Sequence, residues 1–107
     1  AGLGYAAFAM DYHGDGKPLA DPSQTMARLQ PWMADPTGIR TRALAALDVL
    51  KAQKEVDPAR LAAIGYCFGG TTALEIARSG ADVRAVVGFH SGLATARPQD
   101  AVNIRAK

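Results

Sequence analysis

Two glycines bracket a cysteine in Ile64-Gly65-Tyr66-Cys67-Phe68-Gly69-Gly70, one two residues before it and the other two residues after. The spacing is that of a nucleophile elbow, a sharp turn between a strand and a helix, with a thiol where the more familiar form carries serine. Strand and helix nearly collide at such a turn, so the flanking residues must be small, and Gly65 and Gly69 meet that demand. Upstream, Leu61-Ala62-Ala63-Ile64 reads as a strand; downstream, Gly70 to Arg78 reads as a helix with Ala73, Leu74 and Ala77 at apolar helical spacing. A lone cysteine is often a small buried hydrophobe. Strand, motif, second glycine and helix together point instead to a thiol that attacks a substrate.

The chain has 107 residues, enough for one domain, with 49% hydrophobic and 21% charged residues, the mix of an ordinary globular chain. A net charge of +2 with no basic run, and only 7% aromatics, leaves no footprint for nucleic acid or an anionic membrane surface. No apolar run approaches the roughly 18 residues of a membrane span, and the first residues lack a charged segment followed by an apolar core. The single cysteine cannot form an internal disulfide and suits a reducing compartment, most simply the cytoplasm. No cofactor, metal or macromolecular partner is called for, and the oligomeric state is not legible.

Taken in order, Ala1-Gly2-Leu3-Gly4 reads as a helix end breaking on glycine, and Tyr5-Ala6-Ala7-Phe8-Ala9-Met10 as a first buried parallel strand. Asp11-Tyr12-His13-Gly14-Asp15-Gly16 is then a polar loop at a strand's carboxyl end, which makes His13 either a pocket-wall residue or an exposed loop histidine with no role. Asp21-Pro22 and Asp35-Pro36 read as helix starts, the aspartate capping and the proline at the first helical position. Met26, Leu29, Trp32 and Met33 are available to cover apolar surface, as core packing ahead of a short lid. In the next helix Ile39, Ala43, Ala46, Leu47 and Leu50 form one apolar stripe, with Arg40, Arg42, Asp48 and Lys51 flanking it or facing water. Val83 to Phe89 is a third strand, releasing the chain into His90-Ser91-Gly92, and Ile104-Arg105-Ala106-Lys107 looks like the approach to another. The alternation is α/β, and right-handed crossovers bring the loop at 11 to 16, Cys67 and His90 to one edge of a parallel sheet.

The elbow Gly65-Tyr66-Cys67-Phe68-Gly69-Gly70, Gly4-Tyr5 leading to Asp11-Tyr12, and Val86 to Gly92 resemble the dienelactone hydrolase family, α/β-hydrolases whose nucleophile is cysteine. The resemblance covers most of the chain. It implies that residues 1–107 are a central fragment of a single α/β-hydrolase domain. It also implies that the strand expected between Tyr5 to Met10 and the elbow strand lies upstream of Ala1, with the second oxyanion donor on its following loop. A catalytic Asp and His would lie downstream of Lys107. Members specialised for dienelactone hold the substrate carboxylate with arginines, one of them just after the strand equivalent to Tyr5 to Met10. Tyr12-His13-Gly14-Asp15-Gly16 stands there in this chain, which favours a broader class of small esters or lactones.

The chemistry needs a thiolate, and the amino end of a helix favours negative charge at Cys67. The Phe68 backbone N–H becomes one oxyanion donor. The order of triad members in this fold is nucleophile, acid, histidine. Only Glu75 and Asp82 lie between Cys67 and His90, one on the elbow helix and the other at the amino end of the next strand, so chain order argues against His90 as the base. Cys67 and Phe68 are therefore the candidate catalytic residues, and Tyr12, His13, Tyr66 and His90 the candidate substrate-binding ones. The alternative is a noncatalytic α/β-hydrolase-like binding protein in which Cys67 is buried and inert or senses redox state.

Overall fold

A computed structural model describes residues 2–107; Ala1, with its share of the helix end expected at 1 to 4, lies outside the described residues. Asp21 caps a short 3-10 turn, Pro22–Gln24, its side chain accepting from the Ser23 N–H. Helix α1, Thr25–Ala34, follows with Pro31 inside it. Asp35 then caps α2, Pro36–Lys51, by accepting from the Gly38 N–H at 2.9 Å. Both aspartate–proline pairs thus start helices for the expected reason: a side-chain oxygen satisfies an orphan amide, and proline needs none. Strand β1, Ala62–Tyr66, leads through Cys67 into helix α3, Phe68–Arg78. Strand β2, Ala85–Phe89, and a 3-10 stretch, Pro98–Asn103, complete the order.

The two strands pair in parallel from Ala62 opposite Ala85 to Tyr66 opposite Phe89. Backbone bonds extend the pairing at both ends, Arg84 N–H to Leu61 O at 2.7 Å and Cys67 N–H to Phe89 O at 2.8 Å. On the other side of β2, Lys107 accepts from Val86 and donates to Arg84, the alternation of a parallel ladder, which is how the expected approach to another strand is realised. The core lies where α2 and α3 cover one sheet face. Ile39, Ala43 and Leu47 of α2 and Ala73 and Ala77 of α3 are buried where the two helices pack together, and Leu47 clusters with Leu61 and Val83. Each fully buried leucine or valine contributes about 1.5–3 kcal/mol through loss of apolar surface from water.

Two expectations are corrected. Tyr5 to Met10 forms no strand; it joins no ladder, and Tyr5 is 82% exposed. A strand exists only where a neighbour takes its backbone groups, and among the described residues no segment lies between it and β1 to do so. The absence of ladder bonds from 5–10 to 61–65 agrees with a topology in which another strand separates them. The packing role of α1 holds only in part: Leu29 and Trp32 are half-buried, with the Arg42 guanidinium 4.7 Å from the Trp32 ring centroid, whereas no residue of α1 is fully buried and Met26 and Met33 stand 60% and 55% exposed. Apolar spacing makes burial possible, but a facing surface must be present to receive it.

The second sheet face is open, with Ile64, Tyr66, Val87 and Phe89 all exposed on it. In parallel sheets both faces are ordinarily covered. The 107-residue chain alone is therefore expected to bind a dye of exposed apolar surface and to self-associate as its concentration rises. Sedimentation as a single species without dye binding would contradict this.

Candidate active site

Cys67 stands between β1 and α3 with φ 50° and ψ −118°, a backbone conformation that an L-residue adopts only under constraint. The constraint is packing. A Cβ on Gly65 would run into the backbone carbonyl of Gly69 and lie 2.6 Å from the Gly70 amide nitrogen. One on Gly70 would collide with the Ser91 hydroxyl. Strand and helix thus touch through bare backbone, and the chain turns between them at the one residue bearing a thiol. Gly65→Ala is expected to destabilise the protein by about 3 kcal/mol or more, since backbone atoms cannot swing aside as a side chain would. Denaturant titration would measure it, and a loss below about 1 kcal/mol would show that the turn can relax.

The thiol is exposed, and the Cys67 carbonyl accepts from Gly70 and Thr71 to start α3. The Phe68 N–H, at the first position of α3, belongs to the amides that have no acceptor within the helix. The positive end of the helix dipole therefore faces the region around the sulfur.

Tyr12 braces this turn. Its hydroxyl donates to Thr72 Oγ1 at 3.1 Å, Thr72 in turn donates to Phe68 O at 3.1 Å, and its ring lies 5.2 Å from that of Phe68. Burial pushes the Tyr12 hydroxyl above its ordinary pKa, only partly offset by the Thr72 bond, so it stays a neutral donor. Asp11 shapes the loop behind it, accepting from the Gly16 N–H at 2.7 Å and the His13 N–H at 2.9 Å. Those backbone bonds, from Gly16 first, then His13 and Gly14, hold its carboxyl below the usual range. Gly14 and Gly16 have φ of 81° and 66°, values that a side chain would disfavour. His13 is half-buried on this loop.

The parallel register puts Cys67 and His90 on the same sheet edge, each one residue beyond a paired position. His90 is exposed with φ 54°. Among the described residues neither imidazole pairs with a carboxylate, and no hydrogen bond joins either to Cys67. Glu75 is engaged by Arg40 and Arg78, and Asp82 precedes β2, at the opposite end of the sheet. Tyr66 stacks on Phe89 at 4.9 Å, with 14° between the planes, on the open face. Among the described residues no group of three or more His, Cys, Asp or Glu is placed to hold a metal ion, and no helix is long and apolar enough to cross a membrane.

Sequence reasoning missed a charged cluster. Arg40, expected beside or outside the apolar stripe, is only 14% exposed, donating to Glu75 at 2.6 Å and to Asp100 at 2.7 Å. Burial alone would lower its pKa, but the bonds and charges of Glu75 and Asp100 outweigh this and raise it. A signal was present: Glu75 stands three residues before Arg78 on α3, a spacing that puts the two side chains next to each other on a helix.

The profile of the dienelactone hydrolase family matches residues 1–107. The chain belongs to that family. Among solved structures it is similar to m3DLH, 54% identical with a TM-score of 0.84 over 92% of this chain and 41% of that one. It is also similar to the dienelactone hydrolase-like promiscuous phosphotriesterase P91 from metagenomic libraries. There the identity is 47% and the TM-score 0.89, over 97% of this chain and 43% of that one. An uncharacterized protein of Caenorhabditis elegans, K02A2.1, is 43% identical over 56 residues, 51% of this chain and 35% of that protein. The chain thus spans well under half the length of these relatives. Family membership settles the fold class as α/β-hydrolase, of which β1, α3 and β2 are a part.

Proposed function

We propose that the protein is a hydrolase of small carboxylic esters or lactones with Cys67 as its nucleophile. The observation that carries this reading is the constrained backbone at Cys67, φ 50°, which presents an exposed thiol at the mouth of a strand-to-helix turn. The thiolate sulfur attacks the carbonyl carbon, and the π electrons move to the carbonyl oxygen, which the Phe68 N–H receives. As the tetrahedral intermediate collapses, the C–O bond breaks and the alkoxide leaves, taking from solvent the proton that the thiol lost on ionising. Water then attacks the thioester, releasing the acid and the thiol. Tyr12 keeps the first turn of α3, and with it the Phe68 amide, in place. His13, Tyr66 and His90 line the approach, and the compartment proposed is the cytoplasm.

Alkylating the full-length protein with iodoacetamide while following hydrolysis of 4-nitrophenyl acetate tests the reading. Activity is expected to fall in proportion to modification of Cys67; activity retained on full modification would overturn it.

The likeness to P91 supports a second electrophile for the same thiol, a phosphotriester. A 4-nitrophenyl dialkyl phosphate is expected to release nitrophenol more slowly than the acetate, and prior alkylation of Cys67 is expected to stop both.

A further inference from the structure

The segment after β2 is held by α3 at two points. Thr71 Oγ1 donates to Gly92 O at 3.2 Å, and Arg78 Nη2 donates to Leu93 O at 2.9 Å. Between them the Ser91 hydroxyl is buried without a hydrogen-bond partner, in the space that side chains on Gly70 and Gly88 would otherwise fill. A buried hydroxyl with no partner is costly, so something else must keep this segment against α3.

That support runs through charges. The other arm of Arg78 donates to Glu75 Oε1 at 2.9 Å; Glu75 Oε2 takes Arg40 at 2.6 Å, and Arg40 reaches Asp100 at 2.7 Å. Arg97 adds a contact to Asp100 at 3.2 Å. The side chains of Arg78, Glu75 and Asp100 are 12%, 4% and 9% exposed. A charged chain so withdrawn from water is a poor source of net stability compared with apolar packing, but it fixes geometry in a way that apolar contacts do not. Arg78 is oriented by Glu75, and its free arm ends on the backbone three residues after His90.

We infer that Arg78 is a positioning residue. Braced by the Glu75–Arg40–Asp100 chain, it fixes residues 90 to 93 and so the placement of His90 beside Cys67 on the sheet edge. The part concerning His90 as a pocket wall rests on the proposed function; the tether itself does not. Arg78 touches no substrate, so its loss is expected to act on the order of the segment and on substrate binding before it acts on the chemical step.

The test is limited proteolysis of the full-length protein by thermolysin, wild type against Arg78→Met and Arg78→Lys, with hydrolysis of 4-nitrophenyl acetate measured alongside. Arg78→Met is expected to speed cleavage within 90 to 95 by about tenfold or more, the effect of losing one hydrogen bond to a charged group, while β1 and β2 stay uncut. Its KM is expected to rise by more than its kcat falls. Lysine keeps the charge but lacks the fixed fork that holds Glu75 and Leu93 O at once, so Arg78→Lys is expected to lie between the two and to decide the matter if the methionine variant does not fold. Unchanged cleavage within 90 to 95, or acceleration spread evenly over the sheet, would overturn the tether. Wild-type protein that does not hydrolyse the acetate would strike the proposed function alone, since the cleavage result needs no turnover.

Discussion

Cys67→Ala in the full-length protein is expected to lower kcat for 4-nitrophenyl acetate by at least about a thousandfold, because the residual rate of an enzyme stripped of its nucleophile comes only from binding and oxyanion stabilisation. The fold is expected to survive, since the thiol is exposed and its sulfur leaves no buried cavity. A companion variant separates chemistry from conformation. The backbone at position 67 sits at φ 50° and ψ −118°, where glycine is at ease and an L-residue is strained. Cys67→Gly is therefore expected to be as inactive as the alanine variant and yet more stable than the wild type, by about 1 kcal/mol in denaturant titrations. Loss of stability in the glycine variant would mean that the position holds no strain, and wild-type activity in either variant would remove Cys67 from the chemistry.

Arg40→Met is expected to cost about 3 kcal/mol or more in stability, as much as Gly65→Ala. It leaves Glu75 without one of its two cations and Asp100 with only the more exposed Arg97, both carboxylates being nearly withdrawn from water. Denaturation of the full-length variant measures the cost directly. A change below about 1 kcal/mol would place the cluster with ordinary surface pairs, whose coupling water screens.

These two sites differ in how far they could be read from the sequence. The elbow was legible because its requirements are local: two glycines, a nucleophile, an apolar run before and a helical pattern after, all within a short stretch of chain. Its neighbour on the edge, His90, was legible through topology, since parallel pairing of β1 and β2 brings their carboxyl ends together. The Arg40 cluster was not. Arg40, Glu75 and Asp100 are far apart in sequence, and a polar residue beside an apolar stripe gives the same pattern whether it meets water or a buried carboxylate. Tyr5 to Met10 failed for a related reason. Its composition suits a strand, but a strand is completed by a partner elsewhere, and local composition does not report whether the partner is there. The same holds for Met26 and Met33 on α1, where periodicity marked a face that the described residues cover only at Leu29 and Trp32.

The role of Tyr12 was partly legible. Its place in the loop after Met10 put it near the site, while its bond to Thr72 and contact with Phe68 tie it to the helix that begins at the thiol. Tyr12→Phe keeps the ring and loses the hydroxyl bond. A rise in the rate of exchange at the first turn of α3, with a smaller loss of hydrolysis than in Cys67→Ala, is the expected pattern.

The most direct measurement on the nucleophile is acid-quenched mass spectrometry of the full-length protein mixed with 4-nitrophenyl acetate. A nucleophilic Cys67 requires an acetyl group on the peptide that contains it, formed during turnover, lost when the mixture stands, and absent from Cys67→Ala. Steady hydrolysis with no acetyl group on that peptide, continuing at the wild-type rate in Cys67→Ala, would contradict it.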